Sequence, residues 1–124
     1  MPPRFTALLI AGAALACLPA HAVGNAAHGA KVFQDQCSDC HTTITGKNKR
    51  GPSLAGVVGR SSASVPYYNY SDAARAAKLQ WTPERLTRYL ASPKTDLPGT
   101  KMRLLSPPSA ADVADVIAYL QTVR

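Results

Sequence analysis

Apolar residues in this 124-residue chain recur at helical spacing in a few stretches, and strand-like alternation is nearly absent. The clearest stripe lies near the C-terminus, where Val113, Val116, Ile117 and Leu120 follow one another at i, i+3, i+4 and i+7. Ser109 and Asp112 precede it three apart, like a capping box with Asp in place of Glu. A second stripe, Leu86, Tyr89 and Leu90, follows Thr82-Pro83-Glu84, which supplies an N-cap, a proline at the first helical position and an early acid. Pro93 stops that helix. Asn25 can cap a further helix with Ala26, Ala30, Phe33 and Cys37 on one face, and Ser71 a short one through Asp72, Ala73 and Ala77.

Residues 42 to 59 are rich in Gly, Thr and Lys, are punctuated by Pro52, and read as loop. Residues 93 to 108 hold four prolines (Pro93, Pro98, Pro107, Pro108), which predicts no regular structure there. The pattern is all-α with long loops, and loops of that length call for a functional reason.

The first residues change the picture of the mature chain. Arg4 gives a positive start, Phe5 to Leu18 form an apolar run, and Ala20-His21-Ala22 offers a small-x-small cleavage site. The expectation is a cleaved signal peptide at 1–22 and one domain at 23–124. The run is shorter than the about 20 apolar residues of a spanning helix, so no stable membrane insertion is expected after cleavage. Cys17 fits a lipoprotein site poorly. The export signal predicts a periplasmic location. A mature chain of 102 residues buries little core of its own and gains from a staple or cofactor. It carries 13 basic against 7 acidic residues, net +6, which suits acidic protein partners. Basic and aromatic residues are not interleaved, and an exported chain has no call for nucleic acid.

Both cysteines of the mature chain lie in Cys37-Ser38-Asp39-Cys40-His41. C-x-x-C-H is the spacing for covalent attachment of c-type haem, with His41 placed to ligate the iron. A zinc half-site, a redox dithiol and a small disulfide are the alternatives. Zinc wants about four ligands, and beyond the leader the chain adds only His28 to this group. A redox dithiol would sit in a βαβ pattern, which does not appear. A lone disulfide would close a tiny loop and leave His41 unexplained.

If His41 holds iron from one side, Met102 is the candidate for the other. It is the one methionine of the mature chain and sits between Lys101 and Arg103, an improbable core position. His28 precedes Cys37 on the same predicted helix and reads as a surface histidine. His/Met coordination raises the reduction potential and fills both axial positions, which leaves electron transfer rather than substrate chemistry.

With these residues in place the chain resembles the class I c-type cytochromes, the soluble mitochondrial and bacterial cytochromes c, over essentially its whole mature length. The resemblance implies about four or five short helices and long loops wrapped around one haem held through Cys37 and Cys40. It implies that Gly29 and Phe33 pack on Tyr119 and Leu120, and that the Pro52 carbonyl accepts a hydrogen bond from His41. It places Arg60, Tyr68, Tyr70 and Trp81 around the haem propionates, and Tyr89, Thr100, Lys101 and Met102 at the methionine side. Ala74 stands where the family commonly has Asn, Leu104 where mitochondrial members carry Phe, and Pro107 to Ala110 replace a usual lysine run.

The implied function is that of a non-enzymatic, monomeric carrier of single electrons between redox proteins. Lys47, Lys49, Arg50, Lys94, Lys101 and Arg103 are the expected docking ring around the haem edge. A haem subunit fixed in a dehydrogenase or oxidase complex is the alternative. An open-haem peroxidase or gas sensor is the remote one.

Overall fold

The computed structural model describes Met1 and residues 23–124. The expected signal peptide, its cleavage site and Cys17 lie outside the described residues. Five helices follow in order: α1 (Ala26–Gln36), α2 (Asp72–Ala77), α3 (Pro83–Ala91), α4 (Pro93–Asp96) and α5 (Ala110–Leu120). Among the described residues no helix is long and apolar enough to cross a membrane. No named strand occurs there either; one isolated antiparallel bridge joins Ser61 to Gln80.

The start signals act as the sequence suggests. The Asn25 side chain accepts from the N–H groups of Ala27 and His28. Ser71 accepts from Ala74, Thr82 from Arg85 and Ser109 from Asp112. Each side chain satisfies an N–H that the first helical turn leaves without a partner. α2 closes on Lys78 in the left-handed region, with φ of 46°.

α4 overturns the expectation that 93–108 holds no regular structure. Proline is barred from a helix interior but fits the first helical position, where no N–H is needed, and Pro93 opens α4 there. Ser92 ends α3 just before it. Gly29 and Phe33 of α1 are buried against α5, as the resemblance implies, together with Val32, whereas Ala26 and Ala30, which the periodicity places on the inner face, are half-buried.

α1 packs against α5, and α5 also against α3. The first contact is made by backbone. A Cβ on Gly29 would lie 1.9 Å from the Asp115 carbonyl oxygen, and one on Gly24 2.1 Å from that of Ala114. Glycine lets the helices approach this far. Around the crossing Val32, Phe33, Val57, Val116 and Leu120 form the main core, with the Phe33 and Tyr119 rings 5.6 Å apart. Leu86, Val113 and Ile117 form a second cluster, and Val58, Trp81 and Leu90 pack against both.

A polar clasp closes the same seam. Asp115 accepts from the Asn25 backbone N–H at 2.6 Å and meets His28 Nδ1 at 2.8 Å. A carboxylate on α5 thus helps cap α1. These partners, the Asn25 N–H foremost, hold the Asp115 carboxyl below its ordinary range.

Two predictions follow from the seam. Gly29→Ala should destabilise the protein by about 1–3 kcal/mol through overpacking, read as a lower urea midpoint. The Asp115 carboxyl ionises more readily folded than unfolded, so its stabilisation is present above its ordinary value of 3.8 and fades as pH falls below it. Asp115→Asn should therefore lower the urea midpoint at pH 6, and the gap to the native protein should narrow toward pH 3.

Candidate functional site

α1 runs out at the cysteine motif. The N–H groups of Cys37 and Ser38 both donate to the Phe33 carbonyl, and those of Cys40 and His41 return to the Cys37 carbonyl. The motif is thus a tight turn at the helix end, fastened at its far side by the Gly51 N–H donating to Cys40 O at 2.7 Å. Cys37 and Cys40 are both half-buried and are not joined to each other in a disulfide. Burial, with Cys40 adding to it, pushes the Cys37 thiol up to about 11. An activated redox dithiol needs the opposite shift.

His41 is the best-fixed side chain of the site. Its Nδ1–H donates to the Pro52 carbonyl at 2.8 Å. Burial lowers its pKa; the Pro52 bond pulls the other way, and the Arg60 charge lowers it further. The ring is therefore held neutral, with the Nε2 lone pair free to coordinate. Gly51 lies directly against it: a Cβ there would come within 2.3 to 2.8 Å of ring atoms Cε1, Nδ1 and Nε2.

Arg60 donates through Nη1 to Ala55 O at 2.7 Å and through Nη2 to Ser53 O at 3.0 Å. Its Nε is buried with no hydrogen-bond partner among the described residues. Arg60 and Trp81 are paired through backbone, the Trp81 N–H donating to Arg60 O at 2.9 Å. The Tyr68 and Tyr70 rings meet edge to face at 4.7 Å. Tyr68 OH donates to Arg50 O at 2.6 Å, and Tyr70 OH accepts from the Val65 N–H at 3.1 Å.

The loop carrying Met102 is pinned from α3. Tyr89 is buried against Trp81, rings 4.8 Å apart, and shares a hydrogen bond of 2.7 Å with Thr100 Oγ1. The same Thr100 oxygen accepts from the Met102 N–H at 3.3 Å. Burial raises the Tyr89 phenol. The short α4 sets the near end of the loop. Arg85 donates to the Asp96 carboxylate at 2.8 Å, Leu97 is buried, and the Thr100 N–H donates to Leu97 O. Met102 is half-buried.

The expected residues therefore converge as two linked groups. One is the thiol turn, His41, Pro52 and Arg60; the other is Trp81, Tyr89, Thr100 and Met102; the Arg60–Trp81 backbone bond joins them. Tyr68 lies between the two groups: burial first, then Tyr70 and Cys40, raise its phenol, and Tyr68 in turn adds to the raising of Tyr89. Lys101 points outward instead, its Nζ 3.4 Å from the Asn69 carbonyl oxygen. His28 sits on the helix seam with Asp115, as a surface histidine should. Lys47, Lys49, Arg50, Lys94 and Arg103 are all exposed.

The sequence reading gave Gly51 no part in seating His41, because a glycine beside a proline reads as turn punctuation. It also passed over Asn48, which accepts from the Ser53 N–H and donates to Pro66 O.

The donor set fits haem. Two cysteines share one turn with a neutral imidazole, and a buried, unpartnered guanidinium N–H suits a carboxylate such as a propionate. The described residues hold no group of three or more His, Cys, Asp or Glu side chains able to take a metal ion alone.

Comparison with known proteins agrees. The family model described as Cytochrome c matches residues 26–124. The chain is 50% identical over 105 residues to cytochrome c-type cyt cy of Rhodobacter capsulatus, covering 85% of this chain but 52% of that protein, about half its length. It is 46% identical over 101 residues to cytochrome c2 of Rhodopila globiformis, covering 82% of this chain and 95% of that one. Among solved structures, cytochrome cH from Methylobacterium extorquens superposes with a TM-score of 0.73 at 41% identity, over 80% of this chain and 99% of that chain.

Two substitutions test the local geometry. Gly51→Ala should displace the His41 ring and lower stability by about 1–3 kcal/mol, with an altered haem absorption spectrum as its second sign. Tyr89→Phe should cost about 1 kcal/mol in urea unfolding, the net worth of one hydrogen bond.

Proposed function

This chain belongs to the cytochrome c family, and from that premise we propose that it is an exported, periplasmic carrier of single electrons with His41 and Met102 as its two axial ligands. Haem c is held covalently through Cys37 and Cys40, and the family transfers electrons rather than catalysing a reaction. The observation that supports the assignment of His41 is its half-buried, neutral ring, tied at Nδ1 to Pro52 and placed directly after the Cys37–Cys40 turn.

Haem bound at these residues supplies a one-electron iron couple, and its axial ligands set the potential. The protein's part is positional. Pro52 and Gly51 fix the plane of the His41 ring, so that its free nitrogen presents one lone pair in one direction. Tyr89, through Thr100, holds the backbone of Met102, whose soft thioether would serve as the second iron ligand. A thioether favours the reduced metal and so raises the potential. Arg60 offers its unpaired Nε–H, and Tyr68, Tyr70 and Trp81 surround the same region with aromatic area that limits water.

The leader at 1–22 supports export. The exposed Lys47, Lys49, Arg50, Lys94, Lys101 and Arg103 support docking on acidic redox partners, with encounter speeded by charge and weakened by salt. Interfaces of this kind are small, in keeping with a monomer that binds and releases quickly.

Met102→Ala tests the ligand assignment. The variant should bind carbon monoxide rapidly when reduced at neutral pH, where the native protein resists it. Its midpoint potential should fall by on the order of 0.1 V or more, within the ~0.8 V range that axial ligands command. An unchanged potential and unchanged carbon monoxide resistance would remove Met102 from the assignment.

A further inference from the structure

Tyr67 occupies a backbone conformation that suits glycine, and its side chain is fully exposed. Its φ is 59°, in the left-handed region, where a bulky residue is an outlier held against its own preference. The turn around it is secured without help from its ring. Asn48 Nδ2–H donates to the Pro66 carbonyl at 3.2 Å, and the Val65 N–H donates to Tyr70 OH at 3.1 Å. Tyr68 OH ties the next residue to the Arg50 carbonyl at 2.6 Å. Glycine at position 67 would serve this turn without strain. The aromatic ring, at full exposure, adds nothing to the core. Its use therefore lies outside the chain.

The surroundings indicate what it meets. The hydrogen bonds from Asn48 and to Arg50 set Tyr67 beside the 44–51 loop, which carries the exposed cations Lys47, Lys49 and Arg50 and the exposed Ile44. Between Cys40 and Ser71 the chain holds no Asp or Glu. Tyr67 thus stands beside a loop that presents three cations, and the nearest carboxylates along the chain are Asp39 and Asp72, outside that loop. Tyrosine is enriched among the few residues that dominate binding, since it buries much area at small entropic cost.

We infer that Tyr67 is the aromatic anchor of a docking face for an acidic redox protein, inserting into an apolar spot rimmed by carboxylates. The cations set the rate of encounter, and Tyr67 sets the lifetime and orientation of the complex. This rests on the electron-carrier reading above.

The test compares native protein, Tyr67→Gly and Tyr67→Phe, all haem-loaded, as substrates for oxidation by membrane vesicles of the source organism. Oxidation by hexacyanoferrate(III), which needs no protein docking, runs in parallel. Tyr67→Gly should raise KM for the vesicles about tenfold, the loss expected of a hot-spot residue. Its absorption spectrum, potential and hexacyanoferrate rate should stay native, and its urea midpoint should be equal to or above the native value. Tyr67→Phe should keep KM within about twofold of native. A KM for Tyr67→Gly within twofold of native would overturn the inference, as would a loss in Tyr67→Phe equal to that in Tyr67→Gly. If vesicles fail to oxidise the native protein while hexacyanoferrate(III) succeeds, the carrier reading falls, and the docking role with it.

Discussion

Two helices, α1 and α5, meet backbone to backbone because Gly24 and Gly29 carry no Cβ where the Ala114 and Asp115 carbonyls pass. Everything else in this small chain hangs from that crossing. It brings the first described helix onto the last, so that the long stretch between them must return to its starting point. It sets Phe33 against Tyr119, and it fixes the end of α1, from which the Cys37–His41 turn departs. A chain of this size has little apolar area to bury, and a close crossing makes the most of it.

The site is built by supporting contacts rather than by His41 and Met102 alone. His41 owes its orientation to the Pro52 carbonyl and the bare backbone of Gly51. Met102 owes its place to a hydrogen-bonded path from Tyr89 through Thr100, and to α4, which the Arg85–Asp96 pair clamps to α3. Long loops can be ordered without helix or strand when their polar backbone groups find such partners. Arg60 illustrates the principle twice: two of its nitrogens hold the 53–55 loop, and the third is left as a buried donor that suits a carboxylate.

Much of this was legible in the residues. Caps at Asn25, Ser71, Thr82 and Ser109 act as read, because capping is a local interaction that adjacent residues decide. The Val113, Val116, Ile117 and Leu120 face is buried as its period indicates. The C-x-x-C-H spacing singled out the thiol turn. What local pattern could not disclose was long-range. Proline density hid α4, whose first position needs no N–H. The inner face of α1 turned on Gly29, which has no hydrophobicity to signal burial and is placed by a carbonyl 86 positions further along. Gly51 and the orphaned Arg60 Nε are likewise meaningful through neighbours distant in sequence.

Closure of the haem iron by both His41 and Met102 is a proposal, and the far-red absorption of the purified oxidised protein is the measurement that decides it. A weak thioether-to-iron charge-transfer band at neutral pH is the expected result, with the haem remaining on the polypeptide through denaturing extraction. A ferric spectrum without that band, carrying the features of an iron with an open or water-filled sixth position, would contradict it.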